Sequence, residues 1–304
     1  MIGFRRLFVI VVCWTRRMMV QCEDSVIRCS RRHRLKIVNV LHPFSAVVLL
    51  SVIGFLFVYD VVYVVPHILD TSGCWYWLTC LLGGFIIFNI LGNWWLSFKT
   101  NTTVDSLPVE RQTPAEGEAH LWHFCIACDR LVPPRSWHCR LCQGCMLKRD
   151  HHCTISGSCI GHKNQRYFIC FLFHLCFGCG LALVFNGIYA WQTESLMTAD
   201  PILLFSKLSA YSEDVNIDWK YTISTIFKLN MFLLVIALFM FGLQILMVHR
   251  NSTCYTIFDR SYDLGWRRNF EGVLGRRLLW TLLSPTIKSP LPNDGTQWIV
   301  KQQV

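Results

Sequence analysis

Four apolar stretches, Pro43–Pro66, Gly73–Phe98, Phe168–Trp191 and Leu229–Val248, are each long enough to cross a hydrocarbon layer, which takes about 20 helical residues. The chain is 53% hydrophobic over 304 residues, too apolar for an ordinary soluble domain. These stretches predict an all-α polytopic membrane protein with four spans. Asp60 in the first span and Asn89 and Asn93 in the second are costly in lipid, so they are expected to face other helices or the interface. Near the start, Leu7 to Trp14 is apolar but too short to span. Arg16 and Arg17 follow it without a small-residue cleavage pattern, which reads as an interfacial helix rather than a secretory signal.

Basic residues set the expected orientation. The N-terminal arm holds Arg5, Arg6, Arg16, Arg17, Arg28, Arg31, Arg32, Arg34 and Lys36, and the segment after span two and the C-terminal tail are also rich in Lys and Arg. The loop after span three has Lys207 and Lys220 against Glu194, Asp200, Glu213, Asp214 and Asp218. The positive-inside rule therefore predicts that both termini and the central segment are cytosolic. This gives a basic arm over 1–42, spans one and two over 43–98, a cysteine-rich domain over 99–167, spans three and four with a lumenal loop over 168–248, and a cytosolic segment over 249–304. The net charge of +10 needs no nucleic acid to explain it.

Seven of the 16 cysteines fall between Cys125 and Cys159. In a reducing cytosol they point to metal binding or catalysis rather than to disulfides. The pattern is Cys125 and Cys128, then His138 with Cys139, then Cys142 and Cys145, then Asp150-His151-His152-Cys153, and last Cys159. Two-residue gaps let thiolates converge on a tetrahedral Zn²⁺ from a tight knuckle, with imidazole supplying nitrogen. The surrounding residues form little apolar core, so metal must supply the folding energy, about 10 kcal/mol or more per structural site. Two closed sites take about eight ligands, whereas Cys125, Cys128, His138, Cys139, Cys142, Cys145, His151, His152, Cys153 and Cys159 are ten candidates, with His123 and His162 nearby. Spacing does not choose among them.

The run "CIACDRLVPPRSWHCRLCQGCMLKRDHHCTISGSCIGHKNQRYF", Cys125 to Phe168, resembles the cysteine-rich domain of the DHHC-type protein S-acyltransferases. These are four-span membrane enzymes with that domain between spans two and three. The resemblance implies one zinc on Cys125, Cys128, His138 and Cys145, and a second on Cys139, Cys142, His152 and Cys159. It leaves Cys153 as nucleophile, with His151 as its base and Asp150 orienting the imidazole, the division of labour of a Ser-His-Asp triad. The implied reaction moves a long acyl group from acyl-CoA to Cys153 and then to a cysteine of a membrane-associated target protein. Zinc is structural in this scheme. Each buried CH₂ is worth about 0.8 kcal/mol, so the acyl chain stays in lipid, in a cavity among the helices, while its thioester meets Cys153 at the interface. Arg135, Arg140, Lys148 and Arg149 are candidates for the CoA phosphates. The family implies an endomembrane, endoplasmic reticulum or Golgi.

The chain also departs from the family. After the DHHC sequence the family commonly has Pro-Trp and a pair of Asn, where this chain has Thr154-Ile155-Ser156-Gly157-Ser158. The Asp-Pro-Gly motif after span two is missing, and the Thr-Thr-x-Glu motif after span four survives only as "NSTCYTIFD", Asn251 to Asp259. "NFEGVLG", Asn269 to Gly275, resembles the family's C-terminal element, in which a key Asn packs against the catalytic domain. Trp266, Phe270, Val273, Leu274 and Leu278, interleaved with arginines, make it amphipathic and interfacial.

Two other functions compete. A membrane-bound zinc module of the ubiquitin-ligase type has a similar ligand count but no use for a spare Asp-His-Cys group. A catalytically weakened relative kept as an adaptor would fit the departure at 154–158. Cys170, Cys176 and Cys179 read as packing residues in span three, Cys22 and Cys29 as lipidation candidates, and "SPLPNDGTQW" as an ordered loop or tail. We find no internal repeat, P-loop or dinucleotide fingerprint.

Overall fold

The computed structural model describes residues 37–195 and 219–301. The N-terminal features, Leu7 to Trp14 with Cys22 and Cys29, lie outside those residues, as does most of the loop after span three. Among the described residues, four helices are long and apolar enough to cross a membrane: α1 (Val38–Ile68), α2 (Cys74–Lys99), α3 (Gln165–Gln192) and α4 (Trp219–Arg250). Several run past the apolar stretches, α4 by ten residues at its start, because a helix continues until its backbone meets a breaker rather than until hydropathy falls.

The first span alternates helix types. Its π turns, Ile37–Leu41 and Tyr59–Val64, each end two residues before a proline, Pro43 and Pro66. Proline lacks an N–H and its ring crowds the carbonyl four residues back, so a widened turn takes up the mismatch.

Helix α3 is the most buried span and packs between α2 and α4. Polar residues tie the bundle together, as their cost in lipid requires. Asn186 Nδ2 of α3 donates to Asp60 Oδ1 of α1 at 2.6 Å, across buried surroundings. Asn89 and Asn93 are also buried, their amides donating to the carbonyls of Phe85 and Asn89. This polar face of α2 meets the C-terminal segment, where Gly92 admits Pro285 so closely that a Cβ would lie 2.6 Å from its Cγ.

Between α2 and α3 lie three antiparallel hairpins with three-residue strands: β1 (His123–Cys125) with β2 (Arg130–Val132), β3 (Trp137–Cys139) with β4 (Gly144–Met146), and β5 (His151–Cys153) with β6 (Ser158–Ile160). The sequence shows no repeat here, but the structure does. Each hairpin turns after a cysteine, through a four-residue knuckle that closes on a residue of positive φ: Asp129 at 50°, Gln143 at 59° and Gly157 at 60°. The first two knuckles carry Cys128 and Cys142 at their third position, where the third has Ser156. The apolar core of this domain is small, with Val104, Leu107, Val132 and Leu147 gathered around Cys125 and Cys145.

Short connections hold the domain against the bundle. Without the Asp-Pro-Gly motif, Asn101 Oδ1 accepts from Thr103 N–H in an Asx turn, while Thr102 O accepts from Leu147 N–H and Thr102 Oγ1 from Lys163 N–H. Helix α5 (Trp266–Leu274) then returns to α4. Asn269 at its centre is buried, and its Nδ2 donates to the carbonyl of His249 at 2.7 Å and to Asp263 Oδ1. It therefore anchors the end of α4.

Candidate active site

The hairpin register sets ligands opposite one another. His138 pairs with Cys145 and His152 with Cys159 across their strands. Cys125, Cys128, His138 and Cys145 converge in one cluster, and Cys139, Cys142, His152 and Cys159 in another. In the first, Cys128 Sγ lies 3.2 Å from His138 Nδ1 and 3.6 Å from Cys145 Sγ. In the second, His152 Nδ1 lies 3.3 to 3.6 Å from the three sulfurs, with Cys142 and Cys159 3.7 Å apart. Donors about 2.0–2.3 Å from one tetrahedral ion stand about this far from each other, so both sets suit Zn²⁺. His152 also has a second partner. Its Nε2 lies 3.4 Å from His42 Nε2 at the start of α1, the kind of outer contact that fixes the tautomer of a ligating imidazole.

Cys153 belongs to neither cluster. Its strand partner is Ser158, and its thiol faces His151, one residue before the His152 ligand; alternation along β5 sends the two imidazoles to opposite sides. His151 Nδ1 lies 2.8 Å from Asp150 Oδ2. Asp150 is buried, yet its carboxylate is fully engaged: Oδ2 also accepts from Gln244 Nε2 and Oδ1 from Cys254 N–H, both at 2.7 Å. The Phe168 ring stands edge-on to His151, 5.2 Å between centroids.

The electrostatics follow from these contacts. Burial alone would raise the Asp150 pKa, but hydrogen bonds from His151, Gln244 and the Cys254 backbone hold it at about 2. Burial alone would lower that of His151, and hydrogen bonding to Asp150, Cys153 and Cys254 lifts it well above the ordinary value. Burial likewise opposes the Cys153 thiolate, but the His151 hydrogen bond and charge, with Ser156, bring its pKa below the ordinary one. The arrangement favours a thiolate beside an imidazolium.

Cys153 and His151 open onto a cavity of about 1170 Å³. Ile53, Phe57, Ile86, Phe171, Leu175 and Met240 line its part among the helices, and Phe124, Arg140 and Arg149 its part at the hairpin domain. Of the four basic residues singled out in the sequence, these two arginines reach the cavity. Arg135 is buried instead, 4.4 Å from the rings of Tyr262 and Trp298, with its guanidinium donating to Asn251. Lys148 is buried too, its Nζ donating to Gln165 Oε1 at 3.1 Å. Both charges are directed into the protein. Arg149 is buried as well, its Nη1 donating to the His138 carbonyl at 3.3 Å and its guanidinium 5.3 Å from the Tyr255 ring.

The sequence assigns no role to Gln165, Gln244, Cys254, Trp298 or His42 individually, although Cys254 and Trp298 lie in the segments Asn251 to Asp259 and "SPLPNDGTQW". Gln244 alone left a mark in the sequence, as an amide inside an otherwise apolar span. The others are ordinary residues until folding sets them beside the motif.

The family profile described as DHHC palmitoyltransferase matches residues 118–261. The chain carries a DHHC palmitoyltransferase domain. It is similar to the probable palmitoyltransferase ZDHHC24 of Homo sapiens, with 29% identity over 231 residues, 72% of this chain and 77% of that protein. It is also similar to the probable protein S-acyltransferase 12 of Arabidopsis thaliana, 27% identical over 180 residues and covering 56% of each. Against palmitoyltransferase ZDHHC23-A of Danio rerio the identity is 39% over 103 residues, 33% of this chain and 25% of that protein. Within the DHHC domain, the departure at 154–158 closes on a left-handed residue, as the other two knuckles do. Gly157 takes the left-handed conformation that Asn also tolerates, and the Ile155 carbonyl accepts from Trp94 Nε1 at 3.3 Å. The remnant of the Thr-Thr-x-Glu motif still meets the acid of the DHHC sequence through the backbone N–H of Cys254.

Proposed function

We propose that the protein is a protein S-acyltransferase that moves a long acyl group, palmitoyl above all, from acyl-CoA to cysteines of membrane-associated proteins. One observation carries the reading: of the seven cysteines between Cys125 and Cys159, Cys153 is left outside both ligand clusters, and it stands beside His151 and Asp150 in the lining of a cavity that runs among the membrane helices.

The Cys153 thiolate attacks the thioester carbonyl, the carbon–sulfur bond to CoA breaks, and CoA leaves as a thiol after taking the His151 proton. The target thiol then gives its proton to His151 and attacks the acyl-enzyme, and Cys153 leaves as thiolate. Asp150, immobilised by Gln244 and Cys254, keeps His151 in one tautomer and stabilises its charged form. Arg140 and Arg149 meet the CoA phosphates, while Arg135 and Lys148 brace the domain against the C-terminal segment. Cys125, Cys128, His138 and Cys145 hold one zinc and Cys139, Cys142, His152 and Cys159 the other. The ions supply fixed geometry to a domain with little core.

The basic segments favour cytosolic termini, a cytosolic DHHC domain and a lumenal loop after α3, and the family resemblance favours an endomembrane. The test is labelling of purified protein by a clickable palmitoyl-CoA analogue. Wild type gains a hydroxylamine-sensitive label and Cys153→Ser does not. An unlabelled wild type that retains zinc would instead mark an adaptor.

A further inference from the structure

The cavity is not apolar to its end. Asn230 of α4 lines it, is fully buried, and has neither amide atom hydrogen-bonded to protein. Asp60 of α1 lines it as well, held by Asn186 at 2.6 Å. Along α4, Asn230 lies fourteen positions before Gln244, which touches Asp150, a rise of about 21 Å. Along α3, Asn186 lies eighteen positions beyond Phe168, which touches His151, a rise of about 27 Å. Carbon–carbon bonds of about 1.5 Å in a zigzag advance about 1.25 Å per carbon, so the last carbons of a palmitoyl chain on Cys153 reach about the depth of Asn230.

A buried amide without partners is an incomplete site. It lacks both an acceptor for its N–H and a donor for its C=O, and a terminal methyl offers neither. A carboxylate can only accept, and it would carry its charge toward Asp60. A hydroxyl supplies donor and acceptor from one neutral atom. We propose that Asn230, together with Asp60, forms a polar subsite at the far end of the acyl cavity that selects long acyl chains bearing a hydroxyl near the terminal carbon. This rests on the transferase reading above, for the subsite is defined by a chain attached at Cys153.

Competition decides it. Purified wild type in lipid nanodiscs is given equal palmitoyl-CoA and omega-hydroxypalmitoyl-CoA, and the adducts on Cys153 are counted by intact mass. The hydroxylated chain is expected to load about tenfold in excess, the worth of one net neutral hydrogen bond. Asn230→Leu should bring the ratio to parity or below, and alpha-hydroxypalmitoyl-CoA, whose hydroxyl stays near Cys153, should gain nothing. Equal loading by wild type overturns the proposal without any variant, as does a preference that survives Asn230→Leu. If neither chain loads Cys153, the transferase reading itself fails and the subsite falls with it.

Discussion

Gln244 and His151 share one carboxylate oxygen: Gln244 Nε2 lies 2.7 Å, and His151 Nδ1 2.8 Å, from Asp150 Oδ2. The amide comes from α4 and is itself steered by Gln165 of α3, whose Nε2 donates to Gln244 Oε1 at 3.2 Å, while Lys148 Nζ donates to Gln165 Oε1. A buried chain of donors thus runs from Lys148 through two membrane helices to the acid of the DHHC sequence. The bundle thereby fixes the orientation of His151 as well as enclosing the cavity.

Breaking this link should slow acylation while leaving metal in place. A hydrogen bond to a charged group is worth about 1.5–3 kcal/mol, so Gln244→Leu is expected to lower the rate of Cys153 acylation about ten- to a hundredfold. Stopped acylation assays with metal analysis of the same sample would check both halves.

The two adjacent histidines should fail differently. His151→Ala is expected to keep both zinc ions and lose labelling, since its ring contacts Asp150 and Cys153 and neither ligand cluster. His152→Ala removes one of four ligands from the second cluster and should release that ion and lower domain stability by several kcal/mol, a share of the ~10 kcal/mol such a site supplies. Metal content per chain and thermal unfolding distinguish them.

Acid should spare the reactivity of Cys153 longer than that of a free thiol. Its thiol pKa lies below the ordinary one and that of His151 above, so the thiolate–imidazolium pair persists to lower pH than the thiolate of a free cysteine. As pH falls through the usual thiol range, alkylation of Cys153 by iodoacetamide should stay fast and then drop at lower pH. In His151→Ala the drop should move upward toward ordinary thiol behaviour.

The third knuckle offers a test of the 154–158 departure. At φ 60°, Gly157→Asn should be tolerated, because Asn visits the left-handed region readily. Gly157→Val places a β-branched side chain there, at a cost of about 1–3 kcal/mol, and its Cβ would come 3.6 Å from that of His42. Acylation rate and unfolding temperature should fall for Val and hold for Asn.

The membrane helices and the two Cys/His clusters were legible because each rests on local chemistry. Runs of about 20 apolar residues have no stable place but lipid, and paired Cys-x-x-Cys knuckles make their ligand geometry within a few residues. Resemblance to a family then separated Cys153 from the eight ligands, and in the folded chain those eight converge in the two expected groups. The repeat of three knuckles was hidden because it is carried by backbone conformation, with Asp129, Gln143 and Gly157 sharing a left-handed φ and no side chain in common.

Folding alone decided the surroundings of the site. Arg135 and Lys148 look like solvated cations in sequence, but the C-terminal tail lays Trp298 over them. Gln244 and Cys254 are about a hundred positions from Asp150 in the chain and in contact with it in space. Asn230 becomes a cavity wall once the four spans close around it. By itself the sequence determined where the Cys and His donors lie and where lipid must be, since both follow from side-chain type and short spacing. Which charges face inward, what holds the acid still and how the cavity ends are set by contacts between distant segments, which exist only after packing chooses one arrangement.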